Sequence, residues 1–101
     1  MKTTIQEQDG NIVAILVGSL DTAAAPETEK AMSPLNQVEG KDIIIDCSQL
    51  EYISSAGLRI FLGILQHAEE KGSHLYIKGI NDQVRSIFTI TGFCNIFDFK
   101  Q

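Results

Sequence analysis

The sequence is poor in basic residues, and no stretch of it concentrates them. Its 8 Lys and Arg residues are outnumbered by 13 Asp and Glu, which gives a formal net charge of −5 at pH 7. Affinity for phosphate backbones comes mainly from Lys and Arg, because these residues release condensed counterions. The charge therefore opposes direct binding to nucleic acid, and we expect none.

Long hydrophobic runs are missing as well. Residues 1–8 lack the apolar stretch of a signal peptide, and the longest aliphatic run, residues 12–17, is far too short to span a bilayer. We therefore expect a cytoplasmic protein that is not inserted in a membrane.

Cysteine is scarce, and the common ligand-binding motifs are missing. Cys47 and Cys94 are too few for a disulfide scaffold and lack the paired spacing of a zinc site. Free cysteine packs as a small hydrophobe, so we expect both to be buried. The sequence contains no Walker loop, no dinucleotide fingerprint and no Asp-rich calcium loop, so we expect neither a cofactor nor a metal.

The length of the chain indicates one small globular domain. A chain of 101 residues suits one hydrophobic core, so we expect residues 1–101 to form one domain.

Asp9 and Gly10 separate two strand-like segments, and Asp-Gly predicts a β-hairpin because both residues tolerate positive φ. Residues 12–17 are apolar on both alternating faces, which predicts a central strand covered on both sides.

The hydrophobic pattern then alternates between helical and strand periods. The predicted elements are, in order, a helix after residues 18–22, a strand at 43–47, a helix at 55–71, a strand at 74–78, a helix beginning at Asn81 or Asp82, and a short strand at 96–99. Asp21 or Thr22 caps the first helix, and Pro34 kinks or ends it. This order predicts an α/β fold with a mixed four- to five-stranded sheet, an N-terminal hairpin and three to four helices.

Two segments follow the C-terminal ends of predicted strands, where open α/β sheets place their functional sites. They are residues 18–22 and 46–55, and they could lie side by side. Ser54 and Ser55 stand at the start of the second helix, where a serine oxygen caps a backbone N–H. The same place favours a phosphate, because free N–H groups and the positive end of the helix dipole stabilise a dianion.

Enzymatic functions fit the sequence poorly. A nucleophilic Ser55 needs a nearby base, but His67 lies about three helical turns away and His74 begins the next strand. A Gly-x-Ser-x-Gly elbow is also missing, so we expect no enzyme. A phospho-aspartate receiver would have Asp42 and Asp46 as its nearest candidates, but its acidic pair and its late-strand lysine are not recognisable.

One apolar pair on the second helix has two interpretations. Ile60 and Ile64 stand at i and i+4 beside the main apolar stripe of this helix. They either widen the face that packs on the sheet or form a patch that binds a partner.

Three blocks of the sequence carry a recognisable pattern: Gly18-Ser19-Leu20-Asp21, Ile45-Asp46-Cys47-Ser48 and Tyr52-Ile53-Ser54-Ser55-Ala56-Gly57-Leu58-Arg59. Together they resemble the STAS domain, specifically the bacterial anti-sigma factor antagonists. The third block is the most specific, and the resemblance covers nearly the whole chain. It implies a single STAS-like domain.

The resemblance also implies a site. It places the phosphoacceptor role on Ser55. Many members of the family carry Asp immediately before the phosphoacceptor, whereas this chain has Ser54 there, so Ser54 is a second candidate. The residues that it implies in binding a partner or kinase are Asp21, Ser54, Ala56, Gly57, Leu58 and Arg59. Asp21 is equally suited to cap a helix, and Gly57 allows close approach of the backbone to a partner or to the sheet.

The mechanism implied by the resemblance is partner switching. The unphosphorylated antagonist binds an anti-sigma factor, often a serine kinase, and the sigma factor is released. Phosphorylation of the antagonist breaks the complex, and a PP2C-type phosphatase restores it. The alternative is a STAS accessory subunit of a transporter or signalling complex without phosphoregulation.

Overall fold

Strands and helices alternate along the chain after an N-terminal hairpin. The computed structural model describes residues 1–100. Its strands are β1 (Lys2–Gln8), β2 (Asn11–Leu20), β3 (Asp42–Ile53), β4 (His74–Lys78) and β5 (Asp98–Lys100), and its α-helices are α1 (Ala25–Met32), α2 (Ser55–Glu70) and α3 (Asp82–Ile90). Short 3₁₀ helices follow α1 at Ser33–Gln37 and α3 at Phe93–Asn95.

The five strands form one mixed sheet in the order β1-β2-β3-β4-β5. β1 runs antiparallel to β2, and the other neighbouring pairs are parallel. Asp9 and Gly10 turn the hairpin with φ of 53° and 81°, the positive values that a two-residue turn of this kind requires. The structure confirms the predicted fold class and the N-terminal hairpin.

The helices pack on one face of the sheet and enclose a single core. Alternate strand residues point into it, including Ala14, Leu16, Ile43 and Ile45, each with 0% exposure. Phe61 of α2 belongs to the same cluster of buried side chains. The helices therefore form one layer and the sheet the other.

No helix of residues 1–100 packs on the opposite face of the sheet. Val13, Ile15, Val17 and Ile44 point to this face, and none of them belongs to the core cluster or packs against it. The prediction that residues 12–17 are covered on both sides is therefore wrong. Val13 is nevertheless only 7% exposed; it pairs with Gln6 on β1 and with Ile44 on β3, so neighbouring strands flank it.

Strand β3 is longer than its sequence predicts. The predicted strand ended at Cys47, but β3 continues to Ile53 and stays paired with β2 as far as Leu20. The register shifts twice along this stretch, between Ile15 and Val17 and between Gly18 and Ser19. Beyond Cys47 the buried residues recur every third position, so the period of two that identifies a strand is lost.

Helix and strand ends agree closely with the sequence signals. Pro34 ends α1, and the chain continues as the 3₁₀ helix Ser33–Gln37. The Asn81 side chain caps α3 by accepting a hydrogen bond from Val84 N at 2.8 Å. The last strand begins at Asp98, two residues later than predicted.

Among residues 1–100, no helix has the length and hydrophobicity that crossing a membrane requires.

The two cysteines differ in burial, and this difference is testable. Cys47 is fully buried on β3, as predicted, and burial raises the pKa of its thiol far above the usual range. Cys94 is only partly buried, so the prediction is wrong for this residue. We expect an aromatic disulfide reagent to modify Cys94 in the native protein and Cys47 only after unfolding, because the thiolate is the reactive form. Equal modification rates of the two thiols under native conditions would contradict this burial.

Candidate functional site

The ends of β2 and β3 bring the two predicted site segments together. Ser19 pairs with Tyr52, and Leu20 pairs with Ile53. Past the last pair, Ser54 N donates a hydrogen bond to the Leu20 carbonyl oxygen at 2.8 Å. The segment that leads into α1 therefore lies beside the segment that begins α2, as their positions after parallel strands predicted.

Ser54 is the N-cap of α2. Its Oγ accepts a hydrogen bond from Gly57 N at 3.2 Å, and its carbonyl oxygen accepts one from Leu58 N at 3.0 Å. The residue is 7% exposed. Its hydroxyl is therefore occupied in the first turn of the helix and largely closed to solvent.

Removal of this cap has an expected cost. Ser54→Ala is expected to lower the free energy of unfolding by about 1 kcal/mol, because the Gly57 N–H loses its partner. Urea denaturation monitored by circular dichroism measures the difference, and Ser86→Ala, an exposed site on α3, is the control. A Ser54→Ala protein as stable as the wild type would contradict the capping role.

Ser55 is the first residue of α2, and it is exposed. The first turn of this helix carries no acidic side chain, so no residue there compensates the positive end of the helix dipole. Arg59 stands one turn further along the same side of the helix and is exposed; within the described part of the chain it forms no salt bridge. The surroundings of Ser55 thus suit an added negative charge.

Gly57 and Leu58 lie beneath this surface. A Cβ atom at Gly57 would stand 2.7 Å from Leu20 Cγ and 2.8 Å from Ile53 Cγ1, so the helix approaches the sheet as closely as a glycine permits. Leu58 is 2% exposed and belongs to the core. Of the two approaches suggested for Gly57, the structure shows the one to the sheet. Both residues are buried and position the helix start.

Asp21 lies in the neighbouring segment and is exposed. Its Oδ1 accepts a hydrogen bond from Ala24 N at 2.8 Å, and its carbonyl oxygen accepts one from Ala25 N at 3.1 Å. Asp21 therefore stabilises the turn that precedes α1, although the N-cap position itself is Ala24. One carboxylate oxygen is used in this turn, and the side chain still faces solvent.

The other candidate groups stand apart from Ser55. His67 is twelve residues along the same helix, about 18 Å away at the helical rise, and its Nδ1 lies 2.8 Å from the Gly63 carbonyl oxygen. Asp46 accepts hydrogen bonds from Ser48 N and Oγ at 3.0 and 2.7 Å. Within residues 1–100, no three or more His, Cys, Asp or Glu side chains group together as metal ligands would.

Ile60 and Ile64 belong to the core. Ile60 is 8% exposed and Ile64 is 2% exposed, and both are members of the central cluster. Of the two interpretations of this pair, the structure supports the wide buried face.

A groove between α1 and α2 begins beside Ser55. Its first part is open, measures about 380 Å³ and is lined by Thr22, Pro26 and Ala56 among others. A second recess of about 100 Å³ continues it along α2 towards His67. Arg59, with Glu29 and Ile60, lines both parts. No local sequence pattern predicts this groove, because its two walls are separated in the chain.

Comparison with known proteins decides the family. The family model of the STAS domain matches residues 2–101. The chain belongs to the STAS domain family. This confirms the resemblance carried by the three sequence blocks.

Individual STAS proteins resemble the chain over most of its length. The anti-sigma-B factor antagonist of Staphylococcus aureus is 35% identical over 75 residues, which are 74% of this chain and 69% of that protein. BtrV of Bordetella bronchiseptica is 32% identical over 97 residues, 96% of this chain and 84% of BtrV. The crystal structure of an anti-sigma factor antagonist from Mycobacterium paratuberculosis has a TM-score of 0.82 at 24% identity, covering 97% of this chain and 83% of that one.

Proposed function

We propose that this STAS protein is an anti-sigma factor antagonist that is switched off by phosphorylation of Ser55. The observation that carries the proposal is the contrast between two adjacent serines at the start of α2. Ser55 is exposed at the first helical position, whereas Ser54 is 7% exposed and caps the helix. The Staphylococcus aureus relative is named as an anti-sigma-B factor antagonist, which supports the antagonist part of the proposal.

The acceptor is Ser55 rather than Ser54. A kinase must bring the hydroxyl oxygen in line with the γ-phosphate of ATP, so the oxygen has to be accessible. The Ser54 hydroxyl would first have to release Gly57 N, with loss of the cap. Ser55 needs no such rearrangement.

A phosphate on Ser55 fits the free protein well. The N–H groups of the first helical turn and the helix dipole stabilise the dianion, and the Arg59 guanidinium stands one turn away. The modified protein should therefore keep its fold. The switch then has to act on the complex and not on the stability of the chain.

In the complex the same phosphate is unfavourable. A partner that docks over the helix start covers a neutral hydroxyl in the unmodified protein. Phosphorylation adds up to about two negative charges at that place. Docking removes their hydration, which costs free energy unless the partner supplies matching hydrogen-bond donors. An acidic partner surface would add repulsion.

The residues of the docking surface follow from their exposure. Asp21, Ser55 and Arg59 are exposed, and Ala56 is partly buried between them. Gly57 and Leu58 are buried and hold this surface in place. We assign the partner as an anti-sigma factor of the serine-kinase class, and a PP2C-type phosphatase as the enzyme that reverses the modification.

The proposal is tested with the serine-kinase-type anti-sigma factor encoded by the same genome. The chain is incubated with this protein and Mg-ATP, digested and analysed by peptide mass spectrometry. We expect one phosphate, on Ser55, and none in the Ser55→Ala protein. A phosphate on Ser54 in the wild-type chain, or no phosphate at all, would refute the proposed acceptor.

A further inference from the structure

Arg59 is an exposed cation one helical turn after Ser55 on α2. Its neighbour across the groove is Glu29 of α1, which lines both parts of the groove together with Arg59. Within residues 1–100, neither this carboxylate nor any other lies within salt-bridge distance of the Arg59 guanidinium. The guanidinium is therefore free to pair with an anion added to the same helix.

Helix geometry directs the Arg59 side chain towards Ser55. The Cα–Cβ bonds of an α-helix tilt towards its N-terminus, so a long side chain lies over the turn that precedes it. For Arg59 that turn begins at Ser55. Residues at i and i+4 have Cβ atoms about 5–6 Å apart, and an anion N-terminal to a cation at this spacing is the favoured order. A phosphate on Ser55 thus stands within reach of the guanidinium.

The helix start supplies further donors to the same phosphate. Ser54 already accepts hydrogen bonds from Gly57 N and Leu58 N. The N–H groups of Ser55 and Ala56 have no acceptor in the part of the chain that the structure describes. They add to the attraction of Arg59, which contributes a full positive charge and the planar donor geometry that suits a phosphate.

We propose that Arg59 pairs with the phosphate on Ser55 and keeps it doubly charged at and slightly below neutral pH. This inference rests on the proposed function, which places the phosphate on Ser55, and adds how its charge is controlled. Phosphoserine has a second pKa of about 6, so it loses part of its second charge as the pH falls towards that value. The positive charge of Arg59 favours the dianion and therefore lowers this pKa.

The other charged groups around the site act in the opposite direction. Asp21 in the segment before α1, Glu29 on α1 and Glu51 near the end of β3 are all exposed, and their negative charges disfavour a dianion. The Tyr52 hydroxyl beside Glu51 is also exposed and carries no charge near neutral pH. Water and salt screen the three exposed carboxylates, whereas the guanidinium can contact the phosphate directly. Arg59 therefore offsets an acidic neighbourhood.

The second charge matters for the switch. The free energy that docking costs the phosphorylated chain rises with the charge that has to lose its hydration. Without Arg59, a substantial part of the phosphorylated chains would carry a single charge at about pH 6, and the inactive state would be weaker.

An NMR titration measures the phosphate directly. Phosphoserine is introduced at position 55 during translation, so the result depends on no kinase, and ³¹P spectra follow its second ionisation. Arg59→Gln is expected to raise this pKa by about 0.3–0.5 pH unit, the effect of one exposed charged pair. Arg59→Lys keeps the charge and should raise the pKa less. Arg85→Gln, which removes an exposed arginine from α3, is the matched control and should leave it unchanged.

Two further readouts distinguish pairing from an effect on packing. The difference between the wild type and Arg59→Gln should shrink at about 1 M salt, where the Debye length is about 3 Å. In ¹H–¹⁵N spectra of the wild-type chain, the Arg59 Nε–H signal should shift when Ser55 carries phosphate, and that of Arg85 should not.

An unchanged phosphate pKa in Arg59→Gln, or an equal change in Arg85→Gln, would overturn the pairing while leaving the proposed acceptor and partner intact. The expected rise in Arg59→Gln together with undiminished binding of the phosphorylated wild-type chain to the anti-sigma factor would support the pairing and refute the proposed switch. The two failures are therefore distinguishable.

Discussion

Ser55→Asp is expected to weaken binding to the anti-sigma factor about a hundredfold or more. The substitution places a permanent negative charge at the first residue of α2, where the proposed complex covers a neutral hydroxyl. A loss of only about 3 kcal/mol of interface energy exceeds a hundredfold in affinity, so one uncompensated charge is sufficient. Isothermal titration calorimetry with the purified anti-sigma factor measures the change.

The fold of this variant should be unaffected, because an acidic residue in the first turn of a helix interacts favourably with the helix dipole. Ser55→Ala should bind as the wild type does, since it keeps the site neutral and small. Ser86→Asp is a matched control on α3, where the serine is also exposed. Tight binding by Ser55→Asp, or an equal loss in Ser86→Asp, would contradict the switch at Ser55.

Gly57→Ala is expected to destabilise the protein by about 1–3 kcal/mol, the usual cost of adding a methyl group to a filled core. The new Cβ would stand 2.7 Å from Leu20 Cγ and 2.8 Å from Ile53 Cγ1, which is closer than carbon atoms approach without displacement. Leu20 and Ile53 end β2 and β3, so either their side chains or the start of α2 must be displaced. Chemical denaturation measures the loss.

Gly63→Ala in the same helix is the matched control. A Cβ at Gly63 meets no atom within 4 Å, so only the helix propensity changes, and alanine is favoured there by about 1 kcal/mol. The two substitutions are chemically identical and should have opposite signs. A stabilising Gly57→Ala would show that the helix start is not held against the sheet by this contact.

The local signals that predicted the fold were those whose physical cause lies within a few residues. Asp9 and Gly10 fix the hairpin through their positive φ, and Pro34 ends α1 because it lacks an N–H group. Asn81 caps α3 with its side chain, as predicted. Each of these features depends on the backbone preferences of one or two residues, so the sequence is enough to identify it.

The predictions that were wrong concern pairing and packing between distant parts of the chain. The continuation of β3 to Ile53 depends on two register shifts against β2, which the hydrophobic period does not record. The open face of the sheet could not be recognised either, because residues 12–17 are apolar on both sides. Covering by a helix and shielding by neighbouring strands produce the same sequence pattern.

The candidate site was partly predictable. Positions after parallel strands and the serines at the start of a helix identified the region of Asp21, Ser54 and Ser55. The sequence did not distinguish the two serines, because burial of Ser54 depends on the approach of α2 to the sheet at Gly57.

The switch at Ser55 can be tested on two forms of the same chain, unmodified and phosphorylated on Ser55, by measuring their binding to the anti-sigma factor. Calorimetric titration at constant salt concentration gives both affinities, and circular dichroism confirms that both forms are folded. We expect the unmodified chain to bind and the phosphorylated chain to bind at least about a hundredfold more weakly. Equal affinities of the two folded forms would contradict the phosphorylation switch at Ser55.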